Sequence, residues 1–92
     1  MAYHIIRYTA DKPESYGGEK LPATGSVQYT RDNKTQAEQM LGKLYDISAN
    51  QRYMTILKRT RYTFRCENLS HKYLFKIVSS DNKDDVIENM YL

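Results

Sequence analysis

Tryptophan is absent from this chain, and cysteine occurs once, at position 66. A lone cysteine closes no intrachain disulfide and builds no four-cysteine zinc site; it fits a reducing compartment. There are two prolines and four glycines. All of these except Gly42 fall between positions 13 and 25. No run of eighteen apolar residues exists, so no bilayer-spanning helix is expected. Met1 to Arg7 lacks a basic segment leading into a long apolar one, so no secretory signal is expected and a cytoplasmic location follows. Gly17-Gly18-Glu19-Lys20 has neither the spacing of a phosphate-binding loop nor a strand before it. His4 and His71 have no carboxylate or cysteine at ligand spacing, so neither a metal nor a cofactor is expected. Asp81, Asp84 and Asp85 read as helix-capping acids, and Cys66 as buried packing.

What the chain does have is basic charge gathered in one stretch. Its 92 residues, 40% of them hydrophobic, suit one domain over 1–92, a single sheet with a helix layer on it. Fourteen Lys and Arg against eleven Asp and Glu give a net charge of +3. Residues 1–42 are neutral overall, and residues 77–92 hold Lys83 against four acids. Residues 43–76 hold eight basic side chains against Asp46 and Glu67 alone. A field with a direction attracts polyanions.

The elements read in the order β-β-α-β-β-α. Tyr3 to Thr9 is a strand with Tyr3, Ile5 and Arg7 on one face and His4, Ile6 and Tyr8 on the other. Residues 10–25 form a long loop or flexible arm, and Ser26 to Arg31 a second strand with Val27 and Tyr29 inward. Thr35 with Glu38 is a capping box, and Asn33 with Gln36 is an equally good start two residues earlier. Ala37, Met40, Leu41, Leu44, Ile47 and Ser48 give that helix an apolar face, and Asn50 ends it in a left-handed conformation.

Tyr53 to Cys66 is extended and has no Gly or Pro. A turn at Arg59-Thr60 suits a hairpin badly, so one long or bulged strand is expected. Met54, Ile56, Tyr62, Phe64 and Cys66 share one parity; Thr55, Leu57, Arg59, Arg61, Thr63 and Arg65 share the other. Tyr73 to Val78 is the next strand. A short last helix, capped by Ser80 or Asp81, carries Val86, Ile87, Met90 and Tyr91 as its stripe. The expected fold is α+β: about four antiparallel strands, with helices on one face and the other face open.

Arg52 to Arg65 holds five basic residues and no acid, four of the five being arginine. The planar guanidinium binds phosphate through paired hydrogen bonds and stacks on bases. On one strand face, Arg59, Arg61 and Arg65 stand at spacings of roughly 7 and 13 Å, able to follow a nucleic-acid backbone. Tyr53 and Tyr62 are stacking candidates. The expected nucleic-acid-binding residues are Arg52, Lys58, Arg59, Arg61, Arg65, Lys72, Lys76, Tyr53 and Tyr62. No helix is basic, which excludes helix-turn-helix readout of DNA. The aromatic motifs of an RNA-recognition sheet are absent. A double-stranded-RNA-binding domain needs lysines where this chain has Asp81-Asn82-Lys83-Asp84-Asp85. Single-stranded or structured RNA is therefore the expected polyanion.

The opening Met1-Ala2-Tyr3-His4-Ile5-Ile6-Arg7-Tyr8-Thr9 and the Tyr-, Asn-, Lys- and Asp-rich body after it resemble the small early host-takeover proteins of T4-like bacteriophages, TifA type. That resemblance implies an RNA-binding inhibitor of ToxIN toxin–antitoxin defence, neutralising the ToxN endoribonuclease within an RNA-containing assembly in the host cytoplasm. No residue role is carried over from it.

Three functions compete on these grounds. The first is a non-enzymatic RNA-binding protein, in the phage setting a counter-defence factor. The second is an inhibitor that presses the same basic face on an acidic surface of a host enzyme. The third is a small ribonuclease or toxin using His71, Lys72, Arg61 and Tyr62. A long strand with little edge protection also suggests a homodimer.

Overall fold

The first strand is buried on both faces. In β1 (Ala2–Asp11), His4, Ile5, Ile6, Tyr8 and Ala10 are all buried, which places the strand in the middle of the domain. The structure, a computed structural model, describes residues 1–82 and 85–92. After β1 come β2 (Pro22–Arg31), α1 (Lys34–Ala49), β3 (Thr55–Arg59), β4 (Thr63–Glu67), β5 (His71–Ser80) and β6 (Met90–Tyr91). The strands form one curled antiparallel half-barrel in the order β3-β4-β5-β1-β2-β6. No helix among the described residues is long and apolar enough to cross a membrane.

Alternation along β1 sends side chains into two separate cores. On one face, Ile5 joins Phe64, Cys66 and Phe75 beneath Leu41 of α1. Phe64 stacks on Phe75 with centroids 4.5 Å apart and meets Tyr45 edge-on at 5.6 Å. On the other face, Ile6, Tyr8, Ala10 and Leu74 pack against Leu21, Val86 and Leu92. The fold is thus α+β, with six strands and one helix among the described residues where four strands and two helices were expected, and its second face is not open throughout. The apolar stripe read as a last helix is used differently. Val86 and Leu92 plug the second core directly, while Met90 and Tyr91 pair with Ala23 and Pro22. Of the acidic run assigned to that helix, Lys83 and Asp84 lie outside the described residues. Ser80 closes a local turn instead, its hydroxyl accepting from the backbone N–H of Asn82 at 3.0 Å.

The loop expected over 10–25 contracts to ten residues and is pinned. Lys12 N–H donates to the Ser70 carbonyl at 2.8 Å, and Leu21 and Leu92 exchange a pair of backbone hydrogen bonds. Tyr16 packs on the second core. Gly25 in β2 faces the Tyr8 ring so closely that a Cβ there would stand 2.7 Å from Tyr8 Cε1. The Tyr8 hydroxyl in turn accepts from the backbone N–H of Glu88 at 3.1 Å.

α1 takes the earlier of its two possible starts. Asn33 caps it, its side-chain oxygen accepting from Gln36 N–H at 2.8 Å. Ala37, Leu41 and Ser48 are buried as expected, but Ile47 is 57% exposed. Asn50 closes the helix in the right-handed region, with its N–H on Asp46 O, not in the left-handed one. The left-handed residue is Tyr53, at φ 69°.

Two bulges break the parity expected of the strands. In β2 the register jumps so that Ile5 faces Tyr29 and Ile6 faces Val27. Val27 therefore packs in the second core, while Tyr29 is on the helix side and 37% exposed. In β3 the jump lies between Ile56 and Lys58. Residues 53–66 also form a hairpin, not one long strand. Its turn is built by Thr60, whose hydroxyl accepts from the N–H groups of Tyr62 and Thr63 and whose N–H donates to Thr63 O at 2.8 Å.

Cys66 is the inert packing residue its parity suggested. Burial pushes its thiol up to about 11, against the weaker downward pull of a hydrogen bond with Ser48. A thiol-specific reagent at pH 8 is expected to leave it unmodified in the native protein and to label it stoichiometrically in denaturant. Because the folded-state value is the raised one, this group's stabilisation is full below pH 9 and is lost as pH climbs through about 11.

Candidate nucleic-acid interface

The arginine row does not form. The β3 bulge and the hairpin turn send Arg59 and Arg65 to opposite faces: Arg59 pairs with Phe64, on the helix side, whereas Arg65 pairs with Leu74, on the other. Arg61 lies in the turn, where its Nε donates to Glu38 Oε1 at 3.2 Å. The nine expected residues instead fall into three groups.

The largest group lies on the helix-free face, over β3, β4 and β5. Lys58 sits directly opposite Arg65. Lys76 pairs with Thr63 and Lys72 with Glu67 on the same face. Lys58 and Arg65 are exposed and make no ion pair or hydrogen bond among the described residues. Lys72 donates to the Tyr16 hydroxyl at 3.1 Å, and Lys76 lies 3.8 Å from Glu88. Lys12, which the sequence reading passed over, joins them from the pinned loop, 3.0 Å from Glu67 and 2.8 Å from the Asn68 carbonyl. Among the described residues three acids accompany these five basic groups: Glu67, Glu88 and Glu19, the last interacting with Lys72.

The second group, Arg52 and Tyr53, sits in the turn before β3. Tyr53 is 74% exposed and shares a shallow depression with Lys12, Thr55, Glu67, Asn68 and Leu69, beside the basic face. The Arg52 guanidinium lies 5.5 Å from the Tyr53 ring centroid. An exposed tyrosine gains little from packing, and the left-handed region costs a side-chain-bearing residue about 1–2 kcal/mol. Neither burial nor backbone preference explains a tyrosine there.

The third group is Arg59, Arg61 and Tyr62: Arg59 and Arg61 line a cleft of about 430 Å³ between α1 and the hairpin, and the Tyr62 ring lies 5.7 Å from the Arg61 guanidinium. The Arg59 guanidinium lies 3.9 Å from the centroid of Tyr45. Lys34 lies 4.8 Å from the centroid of Tyr62, and a hydrogen bond with the Tyr62 side chain raises its pKa. Glu38, Gly42 and Tyr45 line the helix side. Their i, i+4, i+7 spacing was visible in the sequence as a stripe beside the apolar face. Gly42 in mid-helix costs about 1 kcal/mol relative to alanine, yet a Cβ there would meet no atom within 4 Å.

His71 is not part of any of these groups. Its Nε2 is 3.0 Å from Asp11 Oδ1. The hairpin turn joins β5 at Ile77, through Tyr62 O, six residues and roughly 20 Å along the strand from His71. His4 is buried and hydrogen-bonded to Thr30 and to the Ser80 carbonyl. Among the described residues no cluster of three His, Cys, Asp or Glu is arranged to hold a metal. Comparison with protein-family models, with curated proteins and with solved structures finds no match for the chain.

Proposed function

We propose that the protein is a non-enzymatic RNA-binding module that lays a single strand across the helix-free face of β3, β4 and β5. The observation that carries this reading is the Lys58/Arg65 pair. Like charges directly opposite one another across a ladder destabilise it, and an opposite charge at either position would gain about 0.2–1 kcal/mol. Here the pair is exposed, without an ion-pair partner among the described residues, and flanked by Lys72 and Lys76. A phosphate backbone supplies the missing counter-charge. Tyr53 supplies a ring on which a base can stack beside it. In the counter-defence setting implied by the resemblance to T4-like phage proteins, the strand would be the RNA of a toxin–antitoxin assembly.

A salt titration of binding to labelled single-stranded RNA tests the reading. With four phosphate contacts the slope of log affinity against log salt is expected near −3; no binding at low salt, or a slope near zero, refutes it. Tyr53→Gly adds a sharper check. The variant loses the left-handed strain and gains roughly 1 kcal/mol, or about 4–8 °C in Tm. It also loses a stacking platform, and with it about tenfold in RNA affinity. Thermal melting and anisotropy on the same sample should move in opposite directions.

A further inference from the structure

The cleft between α1 and the β3–β4 hairpin is built unlike the basic face, and its parts suit a different ligand. Its depth is apolar, with Leu41 and the buried Phe64. One wall is the Tyr45 ring with the Arg59 guanidinium laid on it at 3.9 Å. Glu38 stands beside this stack with one carboxylate oxygen on Arg61 Nε and no hydrogen bond on the other among the described residues, its charge also acting on Lys34. Arg61 spends only its Nε on that contact, so its terminal N–H groups are free of partners among the described residues. Lys34 adds positive charge beside it, over the Tyr62 ring that Arg61 also borders. The volume, about 430 Å³, falls in the range of small-molecule sites.

Gly42 is the independent sign that the space is kept for something. Close packing does not require this glycine, since an added Cβ would touch nothing, and the helix is weaker for having it. Any larger residue would project into the cleft. The position is accounted for by the emptiness it preserves.

We propose that this cleft binds a purine nucleotide, with guanine preferred. The ring extends the Tyr45–Arg59 stack, since a guanidinium plane stacks on a base as readily as on a tyrosine. Glu38 accepts from the adjacent N–H groups on the edge of guanine, a donor pair that uracil lacks. The phosphate takes the terminal N–H groups of Arg61. Free nucleotide and one unpaired nucleotide of an RNA strand present this same chemistry.

Titration with 5′-GMP, followed through backbone amide shifts, tests the assignment without reference to the basic face. Saturable shifts are expected at Gly42, Tyr45, Thr60 and Thr63. 5′-UMP should bind about tenfold more weakly, the scale of a lost stacking and hydrogen-bonding partner. Gly42→Gln fills the cleft while improving the helix, so that variant should melt higher and bind 5′-GMP at least tenfold more weakly. The Lys58→Glu/Arg65→Glu variant should keep full 5′-GMP affinity even when it has lost RNA, which separates this site from the open-face reading. A guanine-containing oligoribonucleotide that shifts the same amides at lower concentration than 5′-GMP marks the strand as the source; equal affinities mark the free nucleotide. The assignment is overturned if 5′-GMP gives no saturable shift, if inorganic phosphate reproduces the shifts at the same concentration, or if Gly42→Gln binds 5′-GMP as tightly as the parent.

Discussion

The Lys58→Glu/Arg65→Glu variant is expected to lose at least about a hundredfold in RNA affinity at low salt, with the salt slope falling by roughly 1.4 as two phosphate contacts disappear. The fold should be little affected, because both side chains are exposed and have no ion-pair partner among the described residues. The single variant Lys58→Glu is more discriminating. A glutamate at 58 faces Arg65 across the ladder and turns a repulsive pair into an attractive one, for a gain of about 0.2–1 kcal/mol in stability. RNA affinity should fall at the same time. A side chain kept for structure does not give opposite signs in the two assays. If Lys58→Glu destabilises the protein, or leaves RNA affinity unchanged, the basic pair is not the binding surface.

Phe64→Ala is expected to cost about 3–5 kcal/mol, the usual scale for removing a fully buried aromatic. Phe64 is 1% exposed, stacked on Phe75 and capped by Tyr45. That loss is a large share of the 5–15 kcal/mol typical of a small domain, so urea unfolding should shift markedly and the Tyr45 environment should loosen with it. Arg65→Ala, one residue along and on the other face, should change stability by no more than about 0.5 kcal/mol. The contrast tests the register of β4. A one-residue slip would reverse the two effects, since every side chain on a strand changes face with such a slip.

Much of the scaffold was legible where periodicity was unbroken. The two faces of β1 follow from the simple alternation in Tyr3 to Tyr8. Tyr73, Phe75 and Ile77 share the helix-side face as their spacing required. The start of α1 was one of two written into Asn33 to Glu38. What failed did so for local physical reasons. The β3–β4 turn contains no Gly, Asn or Pro, and a threonine hydroxyl does their work by accepting from two backbone N–H groups. The β3 bulge then moves Lys58 to the face of Arg65 and Arg59 to the opposite one, which no count of alternate residues reveals. Val86, Ile87, Met90 and Tyr91 carry helical spacing, but tertiary demand for a plug over Tyr8 and Leu74 outweighs it. Lysines 58, 72 and 76 and Arg65 were all on the sequence-derived list of binding residues, and their common surface comes from strand pairing far apart in the chain. Gly42 and Tyr45 gained meaning only once the hairpin stood opposite them.

The most direct measurement of the central claim is amide-shift mapping during titration with a single-stranded oligoribonucleotide. The largest shifts outside the α1 cleft are expected on Tyr53, Lys58, Arg65, Lys72 and Lys76, and should shrink as salt is raised. Shifts confined to β2, β6 and the helix C-terminus, or none at all, would contradict it.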